Sequence, residues 1–147
     1  MPPDEPRPIE ILMIDDNPGD VALTRRALER CKIANVLNVV ADGESAIAYL
    51  KRREGYEDSV TPQLIMLDLN LPGMDGREVL EAIKADPALR SIPVVVMTSS
   101  QAEEDIVRSY ESHANCYISK PIDIEGFKTA VEAIDRFWFS IVRLPNS

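Results

Sequence analysis

Apolar and polar residues alternate in long blocks along this chain, and the blocks change period. Ile9 to Ile14 (Ile-Glu-Ile-Leu-Met-Ile) is a short apolar run that predicts a strand. Val36 to Val40 predicts a second strand, Leu64 to Leu67 a third, Ile92 to Met97 a fourth and Cys116 to Ser119 a fifth. The third and fourth are almost wholly apolar, the pattern of strands covered on both faces in a parallel sheet. Between the runs the period lengthens to that of a helix. Asn17-Pro18 is a cap followed by proline at the first helical position, opening a helix to about Lys32 with Val21, Thr24, Leu28 and Cys31 on one face. Glu44 to Arg53 predicts a second helix with Ala46, Ile47 and Leu50 inward, after an Asp42-Gly43 turn. Pro72-Gly73 and Asp75-Gly76 mark a turn after the third strand, and Arg77 to Ala85 then predicts a third helix, ending before Asp86-Pro87. Residues 102–112 predict a polar fourth helix. Residues 123–140 predict a fifth, with Ile124, Phe127, Val131, Ile134 and Trp138 in one stripe.

Five strands alternating with five helices predict a doubly wound α/β domain with a parallel sheet. In such a sheet the carboxyl ends of the strands share one edge, where ligands bind. Four of these strands end in polar or ionisable residues: Asp15-Asp16, Asp68, Thr98-Ser99 and Lys120. Their convergence is far more specific than any one of them. Three carboxylates at one edge repel each other unless a cation intervenes. Hard oxygen ligands without a neighbouring Cys or His favour Mg2+, or Mn2+, over zinc. The hydroxyls of Thr98 and Ser99 can donate to phosphoryl oxygens, and Lys120 can pair with Asp68 or with a phosphoryl group on it. Pro121 makes the Lys120-Pro121 bond a candidate cis peptide. An Asp of ordinary pKa is ionised at neutral pH and can attack phosphorus to give an aspartyl phosphate. The plainer reading of Asp15-Asp16 is helix capping, a task for which Asn17 already serves.

Composition narrows the classes. The 147 residues fit one domain, with 45% hydrophobic and 28% charged residues. Residues 1–8 hold four prolines and read as a disordered leader, 9–140 as the domain, and 141–147 as a C-terminal extension. A net charge of −9 argues against direct nucleic-acid binding. No run reaches the ~18 apolar residues of a membrane span, and the N-terminus lacks signal-peptide character, so a cytoplasmic location is expected. Cys31 and Cys116 read as isolated thiols and His113, the sole histidine, as a loop residue.

The order and spacing of Asp15-Asp16, Asp68, Thr98 and Lys120-Pro121 resemble the receiver domain of two-component response regulators, over about residues 8–140. The resemblance implies a flavodoxin-like sheet of order 2-1-3-4-5. It implies that Asp68 accepts a phosphoryl group from a histidine kinase. Asp15, Asp16, Asp68 and the Asn70 backbone carbonyl would bind Mg2+, and Thr98, Ser99 and Lys120 would contact the phosphoryl group. Thr98 and Tyr117 would form the switch that reshapes the face of the fourth helix, fifth strand and fifth helix. No activity beyond self-phosphorylation and autodephosphorylation is implied. Ser112-His113-Ala114-Asn115 departs from the small-residue run that many receivers carry before the fifth strand. The apolar tail Arg136 to Pro145 and the segment Asn115 to Pro121 resemble the single-domain regulators that partner phytochrome histidine kinases. That implies a light-signalling phosphorelay and a homodimer, with Ile106, Tyr110, Phe137, Trp138, Phe139 and Ile141 on the dimer or partner face. Two other classes stay open. A degenerate receiver would serve as a phosphate-independent binding or dimer module. A dehalogenase-like phosphatase would want a second Asp where Asn70 stands.

Overall fold

The computed structural model of the chain describes residues 8–30, 34–98 and 116–119, the last four and Thr98 by their backbone. Within them the order is β1 (Ile9–Ile14), α1 (Pro18–Glu29), β2 (Asn35–Val40), α2 (Gly43–Lys51), β3 (Leu64–Asp68), α3 (Gly76–Ala85), β4 (Val94–Thr98) and β5 (Cys116–Ser119). The expected fourth and fifth helices lie outside the described residues. All strand pairs are parallel, in the order β2-β1-β3-β4-β5. Among the described residues no helix is long and apolar enough to cross a membrane.

The continuous apolar runs are explained by two cores, one on each face of the sheet. Leu12, Ile14, Ile65, Leu67, Val94 and Val96 point to one face and pack with Val79, Leu80 and Ile83 of α3 and Ala46 and Leu50 of α2. Ile11, Met13, Leu64, Met66, Val95 and Met97 alternate with them and pack with Ala27 and Leu28 of α1. A strand with apolar neighbours on both sides cannot show period-two polarity, so β3 is buried at every position. β2, at the edge, is only partly covered, and Val36 is exposed.

Helix ends depart from expectation where local bonding overrides the apolar pattern. α1 ends at Glu29 rather than Lys32, with Arg30 as cap donating its N–H to Arg26 and Leu28 carbonyls. Its inward face is Thr24, Ala27 and Leu28, while Val21 is half-buried and Cys31 lies outside the described residues. α2 closes at Lys51 because Arg52 is left-handed, at φ 56°. Asp75-Gly76, expected as a turn, is instead the start of α3. Asp75 is the N-cap of a capping box with Glu78, and Gly76 is the first helical residue. β4 begins two residues late. Pro93 has no N–H to give a ladder, and the Ile92 carbonyl accepts from Lys84 Nζ at 3.1 Å.

Candidate functional site

Register builds the site before any side chain is considered. Ile14 pairs with Leu67 across β1 and β3, so Asp15 and Asp68 follow at the same level on adjacent strands. The sheet order reverses here, since the chain passes from β1 to an outer β2 and then back to β3 on the other side. That reversal opens the crevice where α/β sheets place ligands.

Local bonding then fixes each carboxylate. Asp15 Oδ1 accepts the Asn17 N–H at 2.9 Å, and Asn17 Oδ1 in turn accepts the N–H groups of Gly19 and Asp20 at the start of α1. Asn17 is therefore the cap of α1, and Asp15 is not. Asp68 Oδ1 accepts the Asn70 N–H at 3.0 Å. Asp15 and Asp68 are both 2% exposed, whereas Asp16 is open to solvent. One carboxylate oxygen from each of Asp15, Asp16 and Asp68 lies within 4.8 Å of the others. Burying two carboxylates beside a third is unfavourable for all three as anions, and a divalent cation reverses the sign of that interaction. The donor set, all oxygen with one open flank, fits Mg2+ or Mn2+. Asp15 and Asp16 also border a groove of about 590 Å3 between α1 and β2, walled by Val21, Arg25 and Val39, which leaves that flank open.

The other expected site residues divide by position. Asp68 pairs with Met97, so the Thr98 backbone ends β4 at this same edge, where it pairs with Ser119. Tyr117 is placed by its backbone within β5. Asn70 is exposed, and its N–H is engaged with Asp68. Ser99, Lys120, Pro121, Ile106, Tyr110, Phe137, Trp138, Phe139 and Ile141 lie outside the described residues.

One contributor escaped the sequence reading. Gly76 lies so close to the acceptor strand that a Cβ there would sit 2.5 Å from the Asp68 carbonyl oxygen and 2.6 Å from Leu69 Cα. Its N–H donates to the Leu69 carbonyl at 3.3 Å. No pattern announced it, because Asp75-Gly76 reads as a turn and only the structure makes Gly76 the first helical residue.

Comparison with known proteins fits this geometry. The family model for the response regulator receiver domain matches residues 11–132. Response regulator Rcp1 of Synechocystis is 44% identical over 138 residues, covering 94% of each chain. The structure of its Mn2+-bound form superposes with a TM-score of 0.75 at 43% identity, covering 94% of this chain and 99% of that one. The bacteriophytochrome response regulator AtBRR superposes with a TM-score of 0.82 at 42% identity, covering 90% and 96%. The phosphorylated cyanobacterial phytochrome response regulator RcpA gives 0.75 at 42% identity, covering 91% and 96%.

Proposed function

We propose a phosphoacceptor role on Asp68 for this chain, which belongs to the response regulator receiver family. The observation that carries it is the gathering of the Asp15, Asp16 and Asp68 carboxylates within 4.8 Å at the switch point of the sheet. Asp15, Asp16 and Asp68, with the Asn70 carbonyl, hold Mg2+ in this reading. Bound there, the cation would supply positive charge to the crowded carboxylates and to the incoming phosphoryl oxygens.

Asp68 is the nucleophile. A carboxylate oxygen attacks directly, with no proton for a general base to remove. One Asp68 oxygen attacks phosphorus of a phosphohistidine on a kinase; the P–O bond forms as the P–N bond breaks, and the imidazole recovers a proton from solvent. The Asn70 N–H donates to Asp68 Oδ1 and fixes the orientation of the attacking carboxylate. Thr98, Ser99 and Lys120 receive the phosphoryl oxygens. Thr98 and Tyr117 relay the change to the face of the fourth helix, fifth strand and fifth helix. Likeness to AtBRR and RcpA supports a phytochrome-type histidine kinase as donor. The apolar residues of the tail, Phe137, Trp138, Phe139 and Ile141, support a homodimer on that face.

Phosphotransfer from candidate kinases in Mg2+, followed by intact mass, tests the assignment. One added phosphoryl group is expected on the native chain and none on Asp68→Asn. Equal labelling of both proteins removes Asp68 from the role. A native chain that takes no phosphoryl group and does not respond to fluoroberyllate with Mg2+ would be a binding module instead.

A further inference from the structure

The loop between Asp68 and α3, residues 69–75, carries Asn70 and is gripped from two sides. On the inner side Gly76 rests on the Asp68 and Leu69 backbone. On the outer side stands the first residue of a different element. A Cβ on Gly43 would lie 2.8 Å from Met74 Cβ, 3.0 Å from the Met74 carbonyl oxygen and 2.8 Å from Val79 Cγ2. The next residue of α2 continues the contact, because a Cβ on Gly73 would lie 3.3 and 3.4 Å from the two Glu44 carboxylate oxygens. Leu71 and Met74 pack on the core beneath. Gly43 is itself held, since Asp42 caps α2 by accepting the Ser45 N–H at 2.6 Å.

Gly43 is not among the positive-φ residues, so its backbone does not call for glycine. Helical positions favour alanine over glycine, by up to about 1 kcal/mol in a helix interior. Close approach is the remaining reason for glycine at this place. Carbon atoms in contact sit about 3.5–4.0 Å apart, so a methyl at position 43 must push loop and helix apart by roughly 1 Å. Mg2+ and Mn2+ sites do not absorb such a displacement, because ligand distances near ~2.1 Å tolerate only a few tenths of an ångström.

We propose that Gly43 is a positioning residue for the metal loop: by letting α2 press on Met74, it sets where the loop after Asp68 presents its ligand. This rests on the assignment of the carboxylate cluster as a divalent-cation site. It adds α2, which supplies no ligand, to the elements that determine cation affinity.

The test is Mn2+ titration of the full chain, read from the spin-resonance signal of free Mn2+ well below the melting temperature. Gly43→Ala is expected to bind Mn2+ about tenfold more weakly than the native chain. Gly55→Ala is the comparison. Gly55 has φ +98° and nothing within 4 Å of a Cβ, so the variant is strained and less stable without pressing on the loop. Its Mn2+ affinity should stay native, and a loss matching that of Gly43→Ala would assign the effect to general destabilisation and overturn the proposal. Native affinity in Gly43→Ala would also overturn it, while Asp68-dependent binding by the native chain would leave the metal site standing. Native binding no stronger than that of Asp68→Asn would remove the metal site itself, and the proposal with it. If Gly43→Ala does not fold, Val79→Ala with and without Gly43→Ala replaces it. There the added methyl no longer meets Val79 Cγ2 but still meets Met74, and the same loss or retention decides.

Discussion

The two edges of the sheet use polar residues in opposite ways. At the amino edge, donors and acceptors alternate. Glu10 N–H donates to Gln63 Oε1 at 3.0 Å, Gln63 N–H returns to the Glu10 carbonyl at 2.7 Å, and Ile9 N–H meets the Ala34 carbonyl. Nearby, Lys84 Nζ donates to the Arg90 and Ile92 carbonyls and ties the loop before β4 to α3. At the carboxyl edge the same strands deliver three groups of one sign, two of them buried. Partnered polar groups stabilise a fold on their own account, while like charges brought together weaken it until something binds. The contrast separates the end of the sheet built for stability from the end built for chemistry.

The contrast breaks most sharply with a cation. Mg2+ should stabilise the native chain by about 2.7 kcal/mol at a hundred times its dissociation constant, seen as a raised thermal midpoint. Asp15→Asn should lose most of that gain, and without Mg2+ it should melt at or above the native temperature because one of three repelling charges is gone. A metal-free Asp15→Asn that melts well below the native chain would mean that Asp15 serves the fold rather than the site.

The amino edge should answer in reverse. Burial holds the Lys84 ammonium below the ordinary lysine range, a cost that its two carbonyl partners offset. Lys84→Met removes both bonds and leaves the half-buried Ile92 carbonyl to find another donor. A loss of about 1–2 kcal/mol in urea unfolding is expected, with the metal-induced shift in midpoint unchanged. A variant as stable as the native chain would show the ammonium to be a solvated decoration.

The same contrast explains what was legible in the sequence. Asp15, Asp16 and Asp68 could be brought together on paper because strand ends in a parallel sheet must meet, whatever the side-chain details. The strands themselves read clearly, since an apolar run covered on both faces admits few other shapes. Helix ends read less well. The stop at Arg30 and the left-handed Arg52 carry no glycine or asparagine to announce them. Asp75 read as turn chemistry because a turn and a helix cap use the same residue types, and the Val79 N–H bond to the Asp75 carbonyl and the Glu78 bond back to Asp75 N–H distinguish them. The grip of Gly43 on Met74 was beyond reach for a different reason. It is a distance between two elements separated by a whole strand, and a glycine after Asp looks like an ordinary turn.

The smallest expected effect lies on the helix that leads away from the site. Thr24 is fully buried on α1, and its hydroxyl has no hydrogen-bond partner among the described residues. It shares the inward face with Ala27 and Leu28, so an apolar side chain of the same shape suits the place better than a hydroxyl. Thr and Val have similar helix propensity and the same branching, so the exchange alters little else. Thr24→Val should therefore raise stability by up to about 1 kcal/mol in urea unfolding, against the usual direction of core substitutions. Its Mn2+ affinity should be native, because the Thr24 hydroxyl makes no hydrogen bond to the carboxylates or to the loop after Asp68. A destabilised Thr24→Val would mean that the hydroxyl is engaged after all, and α1 would then join the partnered side of the comparison.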